Sequence, residues 1–531
     1  MTSGHGEGRR TRPAARSSSE GSESGPAGSR SHTGLGTASK LGVVLGVVWL
    51  AGVAAARGDD EAAPRAVSTP ARVNVLLITA DDMNWDSTGV TGCKIPGITP
   101  HIDRLASQGM RFAQGHVTVA VCQPSRSVLM TGRYPIHNGA LGFQPIRGDV
   151  PTLQERLRAA GYLNGIFAKV GHLAPQNKFC WDVVVSADDL AAGRSPKAYY
   201  EQSKAFFAKA RDVGRPFFLM ANSQDPHRPF AGANAPEGEG PARPGVARRA
   251  AAAGTAPISR RYRPDEVTVP AFLPDLPAVR NEIAQFYTSV HRCDEIVGEI
   301  LRALSETGLD DSTLVMFLSD NGMPFPFAKT NCYQFSTRTP WIVRWPGRVK
   351  SGTVNEEDFI SGIDFTPTVL EAAGLPPMAD VDGRSFLSLL RGEKQAGRDR
   401  VFTVFHRTSG GNDFPMRAVH DRRFGYIFNA WADGKTEFRN ESRGTASFRA
   451  MDKAALDDPA VAARVKMFLL RAREEFYDYQ ADPAALHNLI DDPGHKEQIA
   501  QLRAEMHRTL KSLNDPLLAD FEKATQGGLR P

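Results

Sequence analysis

The chain has 531 residues, 41% of them hydrophobic, and a formal net charge of +5 at pH 7. This length predicts two domains, and the apolar fraction is typical of a globular protein. The small net charge, without a basic motif interleaved with aromatic residues, argues against nucleic acid as a partner. The five cysteines contain no CxxC pair, which argues against a zinc knuckle, and their odd number leaves at least one thiol unpaired or modified.

Residues 1–57 predict a disordered start followed by an export signal. Residues 1–40 are rich in Gly, Ser, Arg and Thr and cannot form a core. Residues 41–56 are apolar and uncharged and end in three alanines, as signal peptides do. They are few for a membrane span, which needs about 20 residues. We expect export to the periplasm or the exterior, with cleavage near Ala56 or with the segment kept as an N-terminal membrane anchor.

From residue 71 to residue 396, buried strands alternate with helical patterns. Apolar, mostly short runs that end at polar residues predict strands at 73–79, 163–168, 216–221 and 312–318. Helical periodicity is present at 100–108, 153–160 and 281–307. This alternation predicts an α/β domain with a doubly wound sheet. Residues 231–261, rich in Ala, Gly, Pro and Arg, are predicted to form a surface loop inserted into it.

The pattern changes after residue 397. Short strands are predicted at 401–406, 416–419 and 426–430, and helical runs follow at 459–476 and 497–513. Residues 397–531 are therefore predicted to form a smaller C-terminal α+β domain that packs against the first.

Polar residues follow two of the predicted strands directly. Asp81 and Asp82 come after the first strand, and Asp320 and Asn321 come after the strand at 312–318. In doubly wound sheets ligands bind beyond the carboxyl ends of the strands, so these side chains are expected to converge. Three carboxylates and an amide oxygen make a site for a hard cation, and we favour Ca²⁺, with Mg²⁺ next.

Cys122 begins the run Cys-Gln-Pro-Ser-Arg, which ends at Arg126 and is followed by Thr-Gly-Arg at 131–133. Taken alone, Cys122 could be a buried thiol or a thiolate activated by Arg126. The whole run, however, resembles the signature of the formylglycine-dependent (type I) sulfatases. The resemblance implies an alkaline-phosphatase-like fold with a mixed sheet. It also implies that a formylglycine-generating enzyme converts Cys122 to formylglycine. The modified residue would join Asp81, Asp82, Asp320 and Asn321 around the metal, and Arg126 would hold it.

The resemblance also assigns roles to basic residues that follow the strands. Lys169 and His172 lie in Ala-Lys-Val-Gly-His, where the common motif is Gly-Lys-x-His. Ala168 replaces the Gly, and one extra residue separates Lys from His, as in some members of the family. The resemblance implies that Lys169 and Lys329 bind the sulfate and that His172 takes a proton so that the formylglycine reforms. His227 or Lys329 would protonate the leaving group.

Three segments are most similar to the heparan N-sulfatase (sulfamidase)-like members of the family: residues 225–228, residues 320–326, and His406 with the later run 414–417. They suggest Asp225, Arg228 and His406 as substrate-binding residues and a sulfated saccharide as the substrate. Those members carry Arg at the position of Lys329, so an N-linked and an O-linked sulfate both stay open. Two alternatives are a phosphodiester or phosphonate monoester hydrolase of the same superfamily and a non-catalytic, glycan-binding homologue.

Overall fold

The computed structural model describes residues 72–233 and 256–525. The predicted N-terminal segment 1–57, with its export signal, lies outside the described residues, as do residues 234–255 of the predicted insert. The flanking residues of that insert, 231–233 and 256–261, contain no helix or strand. No helix in the described part of the chain is long and apolar enough to span a membrane.

A mixed sheet of eight strands forms the larger part of the molecule. Its strands are β1 (Asn74–Asp81), β2 (Met110–His116), β3 (Leu163–Phe167), β4 (Val183–Val185), β5 (Phe217–Pro226), β6 (Thr313–Ser319), β7 (Trp341–Arg344) and β8 (Thr353–Ser361). Their order is β4-β3-β5-β1-β6-β7-β2-β8. Strand β7 runs antiparallel to both its neighbours, and the other neighbouring strands pair in parallel.

Helices cover both faces of this sheet. The helices of the described chain are α1 (Pro100–Ser107), α2 (Cys122–Thr131), α3 (Pro135–Asn138), α4 (Leu153–Ala159), α5 (Gln176–Phe179), α6 (Pro196–Asp212), α7 (Pro277–Glu306), α8 (Gln334–Thr337), α9 (Phe365–Ala372), α10 (Leu387–Leu390), α11 (Ala446–Ala454), α12 (Pro459–Leu470), α13 (Lys496–Ser512) and α14 (Leu518–Thr525). Strand β1 therefore has a hydrophobic core on each side. Leu76 and Ile78 face one core, and Val75 and Leu77 face the other. Burial on both faces explains why β1 is a continuous apolar run.

A second, antiparallel sheet follows, made of β9 (Arg400–Arg407), β10 (Asp413–Asp421), β11 (Phe424–Asn429) and β12 (Glu474–Asp478). Their order is β12-β11-β10-β9. One hydrophobic cluster contains residues of this sheet, such as Phe405 and Tyr426, together with residues of the larger sheet, such as Ile78 and Phe317. The small domain is thus joined to the large one by a shared core. The boundary at 396/397 stays a prediction, because one core runs beneath both sheets.

The predicted doubly wound, mixed α/β architecture with a smaller C-terminal α+β part is confirmed. The strands at 73–79 and 312–318 are present within two residues at either end. One prediction is wrong: the helical run 459–476 ends at Leu470, and Phe476 lies in strand β12. Phe476 and Tyr477 pair with residues of β11 in the small sheet. This pairing with a strand distant in the chain explains why the helix does not continue.

Candidate active site

The metal-ligating candidates lie at the carboxyl ends of two neighbouring parallel strands. Ala80 of β1 is in register with Ser319 of β6, so the residues that follow, Asp81 and Asp320, are adjacent. Oxygen atoms of Asp81, Asp82 and Asp320 lie within 4.8 Å of one another, and all three side chains are buried. The predicted convergence at one edge of the sheet is therefore present.

The polar atoms of this carboxylate cluster fit a divalent cation. Asp81 Oδ1 and Asn321 Oδ1 are buried and accept no hydrogen bond from any described residue. Burial, together with the neighbouring Asp81, raises the pKa of Asp82 to about 6 and that of Asp320 to about 7. Close carboxylates repel one another unless a proton or a cation intervenes. Unpaired hard oxygens in such a cluster are the donors that Ca²⁺ or Mg²⁺ takes.

Cys122 is the first residue of α2, and the segment that precedes α2 leaves the carboxyl end of β2. The side chain is buried, and burial raises the pKa of the thiol to about 12. A thiol with this pKa is protonated at neutral pH, which disfavours a plain thiolate nucleophile. The helix ends at Gly132, whose φ of 66° favours glycine and explains the Gly of the motif.

Arg126 lies one turn further along α2 and is fully buried. Its Nη2 donates to Asp320 Oδ2 at 2.6 Å, and its Nη1 donates to Asn222 Oδ1 at 2.5 Å and to Thr79 Oγ1 at 2.9 Å. Arg126 therefore holds α2, and Cys122 with it, against the ends of β1, β5 and β6.

Lys169 and His172 follow β3, as the sequence predicted. Lys169 has a φ of 54° and makes an ion pair with Asp81. A single 3₁₀ turn, Val170–His172, follows and absorbs the extra residue of the motif. The His172 ring packs edge-to-face against Phe143 at 6.0 Å, and its buried Nδ1 has no described hydrogen-bond partner. Burial, with Lys169 nearby, holds the pKa of His172 well below its usual value, so the ring is neutral at pH 7.

His227 and Lys329 lie on the side of the cluster formed by Asp82. His227 Nε2 is 3.8 Å from Asp82 Oδ2, and Lys329 Nζ is 2.8 Å from Asp82 Oδ1. The same Lys329 ammonium is 2.7 Å from Glu441 Oε1, a residue of the small domain. Glu441 could not be identified from the sequence, because no motif surrounds it and only the tertiary structure brings it to Lys329.

Asp225 has an environment that the sequence did not predict. Arg292 Nε lies 2.6 Å from Asp225 Oδ2 and its Nη2 lies 3.1 Å from Oδ1, and Arg194 also pairs with Oδ1. Both oxygens of this fully buried carboxylate are thus taken by arginines. Arg194 in turn donates to the carbonyl oxygen of His227 at 2.9 Å. The geometry favours a role for Asp225 in positioning the His227 loop over direct contact with substrate.

Arg228 is also engaged by the protein itself. Its Nη1 is 2.5 Å from Glu282 Oε1 on α7, and its guanidinium lies over the rings of Phe230 and Phe325 at 4.2 and 5.0 Å. Glu282 also accepts hydrogen bonds from the backbone N and hydroxyl of Ser447 at 2.7 and 2.5 Å. Arg228 and Glu282 therefore connect the loop after β5 to the small domain, and substrate contact by Arg228 stays a prediction.

His406 lies on β9, and its ring is buried. Burial, followed by Arg417 and Arg407, holds its pKa well below the usual value, so the ring is neutral. Its Nε2 has no hydrogen-bond partner among the described residues. No described contact joins His406 to the carboxylate cluster, and its substrate role also stays a prediction.

Comparisons with known proteins identify the family to which the chain belongs. The sulfatase family model matches residues 73–375, and the model described as "N-sulphoglucosamine sulphohydrolase, C-terminal" matches residues 325–434. Human N-sulphoglucosamine sulphohydrolase is 30% identical over 483 residues, which cover 86% of this chain and 94% of that protein.

Solved structures share the fold. One, of a protein in complex with D-glucosamine-2-N,6-O-disulfate, has a TM-score of 0.62 at 18% identity and covers 84% of this chain and 99% of its own. A phosphonate monoester hydrolase from Silicibacter pomeroyi has a TM-score of 0.60 at 19% identity and covers 84% and 97%. Because the identities are low, these two structures support only the alkaline-phosphatase-like fold. The family match spans most of the larger domain, and the chain therefore belongs to the sulfatase family and is an enzyme that hydrolyses sulfate esters.

Proposed function

We propose that this sulfatase removes the N-linked sulfate from glucosamine units of a sulfated saccharide. The match of residues 325–434 to the C-terminal part of N-sulphoglucosamine sulphohydrolase carries the proposal. Those residues include Lys329, which pairs with Asp82 of the carboxylate cluster, and three strands of the small sheet. The Lys at position 329, where the resemblance implies Arg, makes an O-linked sulfate the second candidate.

We propose further that Cys122 is converted to formylglycine by a formylglycine-generating enzyme. Pro124 and Arg126 occupy the positions that the modification motif requires, and the unmodified thiol is a poor nucleophile at its raised pKa. The hydrated aldehyde would supply one hydroxyl to attack sulfur and a second whose deprotonation releases the sulfate.

We assign the metal site to Ca²⁺, held by Asp81, Asp82, Asp320 and Asn321 with an oxygen of residue 122. The donors are all oxygens, and the two unpaired buried oxygens support a cation at this place. When bound, the ion would supply positive charge to the non-bridging oxygens of the sulfate.

The remaining roles follow from the charges around the cluster. Lys169 and Lys329 each have three N–H donors, so each can bind its Asp partner and a sulfate oxygen together. Their charge offsets the negative charge that grows in the transition state. Arg126 fixes the side chain of residue 122. The neutral His172 accepts the proton from the second hydroxyl of the hydrated formylglycine at residue 122. His227 or Lys329 delivers the proton to the leaving nitrogen or oxygen.

We also propose that the enzyme acts after export. The apolar segment 41–56 with its terminal alanines supports a periplasmic or extracellular site of action, with or without an N-terminal membrane anchor.

The first test is the state of residue 122. Peptide mass spectrometry of protein from its native host is expected to find the mass of an aldehyde in place of the thiol. Cys122→Ala is expected to lower kcat at least about 10⁴-fold, because the nucleophile is removed. Cys180→Ala, a change at another free cysteine, is the matched control and is expected to keep wild-type activity. A fully alkylatable Cys122 in active enzyme would contradict the proposal.

The second test is the leaving group. Turnover is measured on N-sulfoglucosamine, glucosamine 6-sulfate, 4-nitrophenyl sulfate and an aryl phosphonate monoester. N-sulfoglucosamine is expected to have the highest kcat/KM. A preference for the 6-sulfate would establish the O-linked candidate, and a preference for the phosphonate would overturn both. Sugar binding without turnover of any of the four compounds would favour the non-catalytic homologue.

A further inference from the structure

Glu441 brings a carboxylate from the small domain to the edge of a site built for an anion. Its Oε1 lies 2.7 Å from Lys329 Nζ, and the same ammonium binds Asp82 at 2.8 Å. The Lys329 side chain is 1% exposed, whereas that of Glu441 is 35% exposed. Glu441 is therefore the solvent-facing member of this group of three.

The backbone around Glu441 is held in place. Asn440 Nδ2 donates to Thr330 Oγ1 at 2.7 Å, which ties the segment to the residue after Lys329. Asn440 Oδ1 also accepts from the backbone N of Ser442 at 3.1 Å and caps the 3₁₀ turn Glu441–Gly444. A side chain carried by a rigid turn can present an acceptor at a defined position.

Glu441 has an acceptor to offer. Burial raises the pKa of Glu441, but Lys329 and His227 together hold it below its usual value, so the group is ionised at neutral pH. Oxygen Oε1 pairs with Lys329, and the carboxylate, whose side chain is partly exposed, can accept a further hydrogen bond.

A carboxylate at this place repels a bare sulfate and weakens the attraction of Lys329 for it. The repulsion is offset when the substrate brings a hydrogen-bond donor, since a carboxylate can only accept. A sulfated sugar carries N–H and O–H groups beside the sulfated atom, and an aryl sulfate carries none. We propose that Glu441 is a specificity-determining residue that accepts a hydrogen bond from an N–H or O–H group of the sugar next to the transferred sulfate.

This inference rests on the proposed action on a sulfated sugar and names the residue that recognises that sugar. The test compares Glu441→Ala and Glu441→Gln with wild type on two probes, N-sulfoglucosamine and 4-nitrophenyl sulfate. Glu441→Ala is expected to lower kcat/KM on the sugar about 10- to 100-fold, the effect of one hydrogen bond to a charged group. On the aryl sulfate, kcat/KM is expected to stay within about twofold of wild type or to rise. The aryl sulfate has no donor for Glu441, so the substitution removes no hydrogen bond to this substrate.

Glu441→Gln preserves the shape and one acceptor, so its loss on the sugar is expected to be smaller than that of Glu441→Ala. Thermal unfolding checks that each variant folds. If Glu441→Ala does not fold, Glu441→Gln takes its place in the comparison. Glu437→Gln is the matched control, because Glu437 precedes the same turn and pairs with Arg443 at the surface. This substitution is expected to leave kcat/KM unchanged on both probes.

Equal losses on the sugar and on the aryl sulfate would overturn the inference, because they would mean that Glu441 only orients Lys329. The substrate proposal fails separately. If wild type does not cleave N-sulfoglucosamine, the O-sulfated sugar that the enzyme turns over fastest takes its place. The loss of kcat/KM on that sugar, compared with the loss on the aryl sulfate, still decides the role of Glu441. An enzyme that cleaves aryl sulfate and no sulfated sugar would overturn both.

Discussion

Arg126 connects the ends of three strands through one buried guanidinium. It binds Asp320 after β6, Asn222 on β5 and Thr79 on β1, and none of these groups is exposed. The motif predicted a contact with residue 122 and could not show this network. The guanidinium is thus also a structural partner of a buried carboxylate, which makes its removal costly.

Arg126→Met is expected to lower the free energy of unfolding by about 3–5 kcal/mol, because it leaves Asp320 buried without its cationic partner. Urea denaturation in the presence of a chelator measures this effect without a metal ion that could replace the lost charge. Lys197→Met, at an 84% exposed lysine 3.9 Å from Glu201, is the control and should change stability by less than about 0.5 kcal/mol. A loss below about 1 kcal/mol for Arg126→Met would contradict the structural role.

At the scale of elements, β10 is joined to the larger domain through His420. His420 Nε2 is 2.7 Å from the carbonyl oxygen of Cys332, so it carries the proton and donates. The ring stacks on His116 with centroids 6.3 Å apart, and it packs at a tilt of 50° against Tyr479 with centroids 5.7 Å apart. Burial lowers the pKa of His420 to about 4, against small opposite effects of its hydrogen bond and of Asp421. The packing of two sheets therefore depends on a histidine that stays neutral.

This histidine makes stability depend on pH. Its pKa is near 6.5 in the unfolded chain and about 4 in the folded one, so the unfolded chain binds more protons between these values. The contribution of the neutral His420 to the free energy of unfolding is complete above pH 6.5 and is lost as the pH falls towards 4. At pH 5 the loss amounts to about 2 kcal/mol relative to pH 7.

His420→Gln is expected to remove the share of this pH dependence that comes from His420, so that the unfolding free energies at pH 7 and pH 5 differ less than in wild type. The exposed His487→Gln should retain the wild-type difference. The same pH dependence in His420→Gln and wild type would show that other groups cause it.

At the scale of the whole molecule, the carboxylate cluster exists only when strands β1 and β6, which are distant in the chain, are paired. Asp81 ends β1 and Asp82 follows it, whereas Asp320 follows β6, and helices α1 to α7 lie between the two strands in the chain. A cation bound by this cluster therefore binds the folded protein and adds its binding free energy to stability.

Calcium at one hundred times its dissociation constant is expected to stabilise the protein by about 2.7 kcal/mol relative to chelator. Mg²⁺ is expected to give a smaller increase at the same concentration, because it demands stricter geometry than a cluster of this kind offers. Thermal unfolding measures both. Asp320→Asn should abolish the increase, and the exposed Asp311→Asn should keep it. Equal melting temperatures in calcium and in chelator would contradict a calcium site.

What the sequence by itself determined is local. The apolar runs predicted β1 and β6 and the polar residues at their ends, because a strand buried on both faces is apolar along its length. The motif from Cys122 to Arg133 indicated the family, since it is contiguous in the chain. Strands β2 and β8 were missed because polar residues interrupt their apolar runs, and β7 because it has only four residues. Helix α2 was missed because every one of its residues is buried, so that the sequence shows no separate apolar face.

Only the tertiary structure decided which partner each charged side chain has. Asp225 pairs with Arg194 and Arg292, and Glu441 reaches Lys329 from the small domain. These pairs join segments distant in the chain, and burial makes each charge depend on its partner. A sequence shows that such residues are present, but their positions in the folded chain decide which of them support the site and which face the substrate.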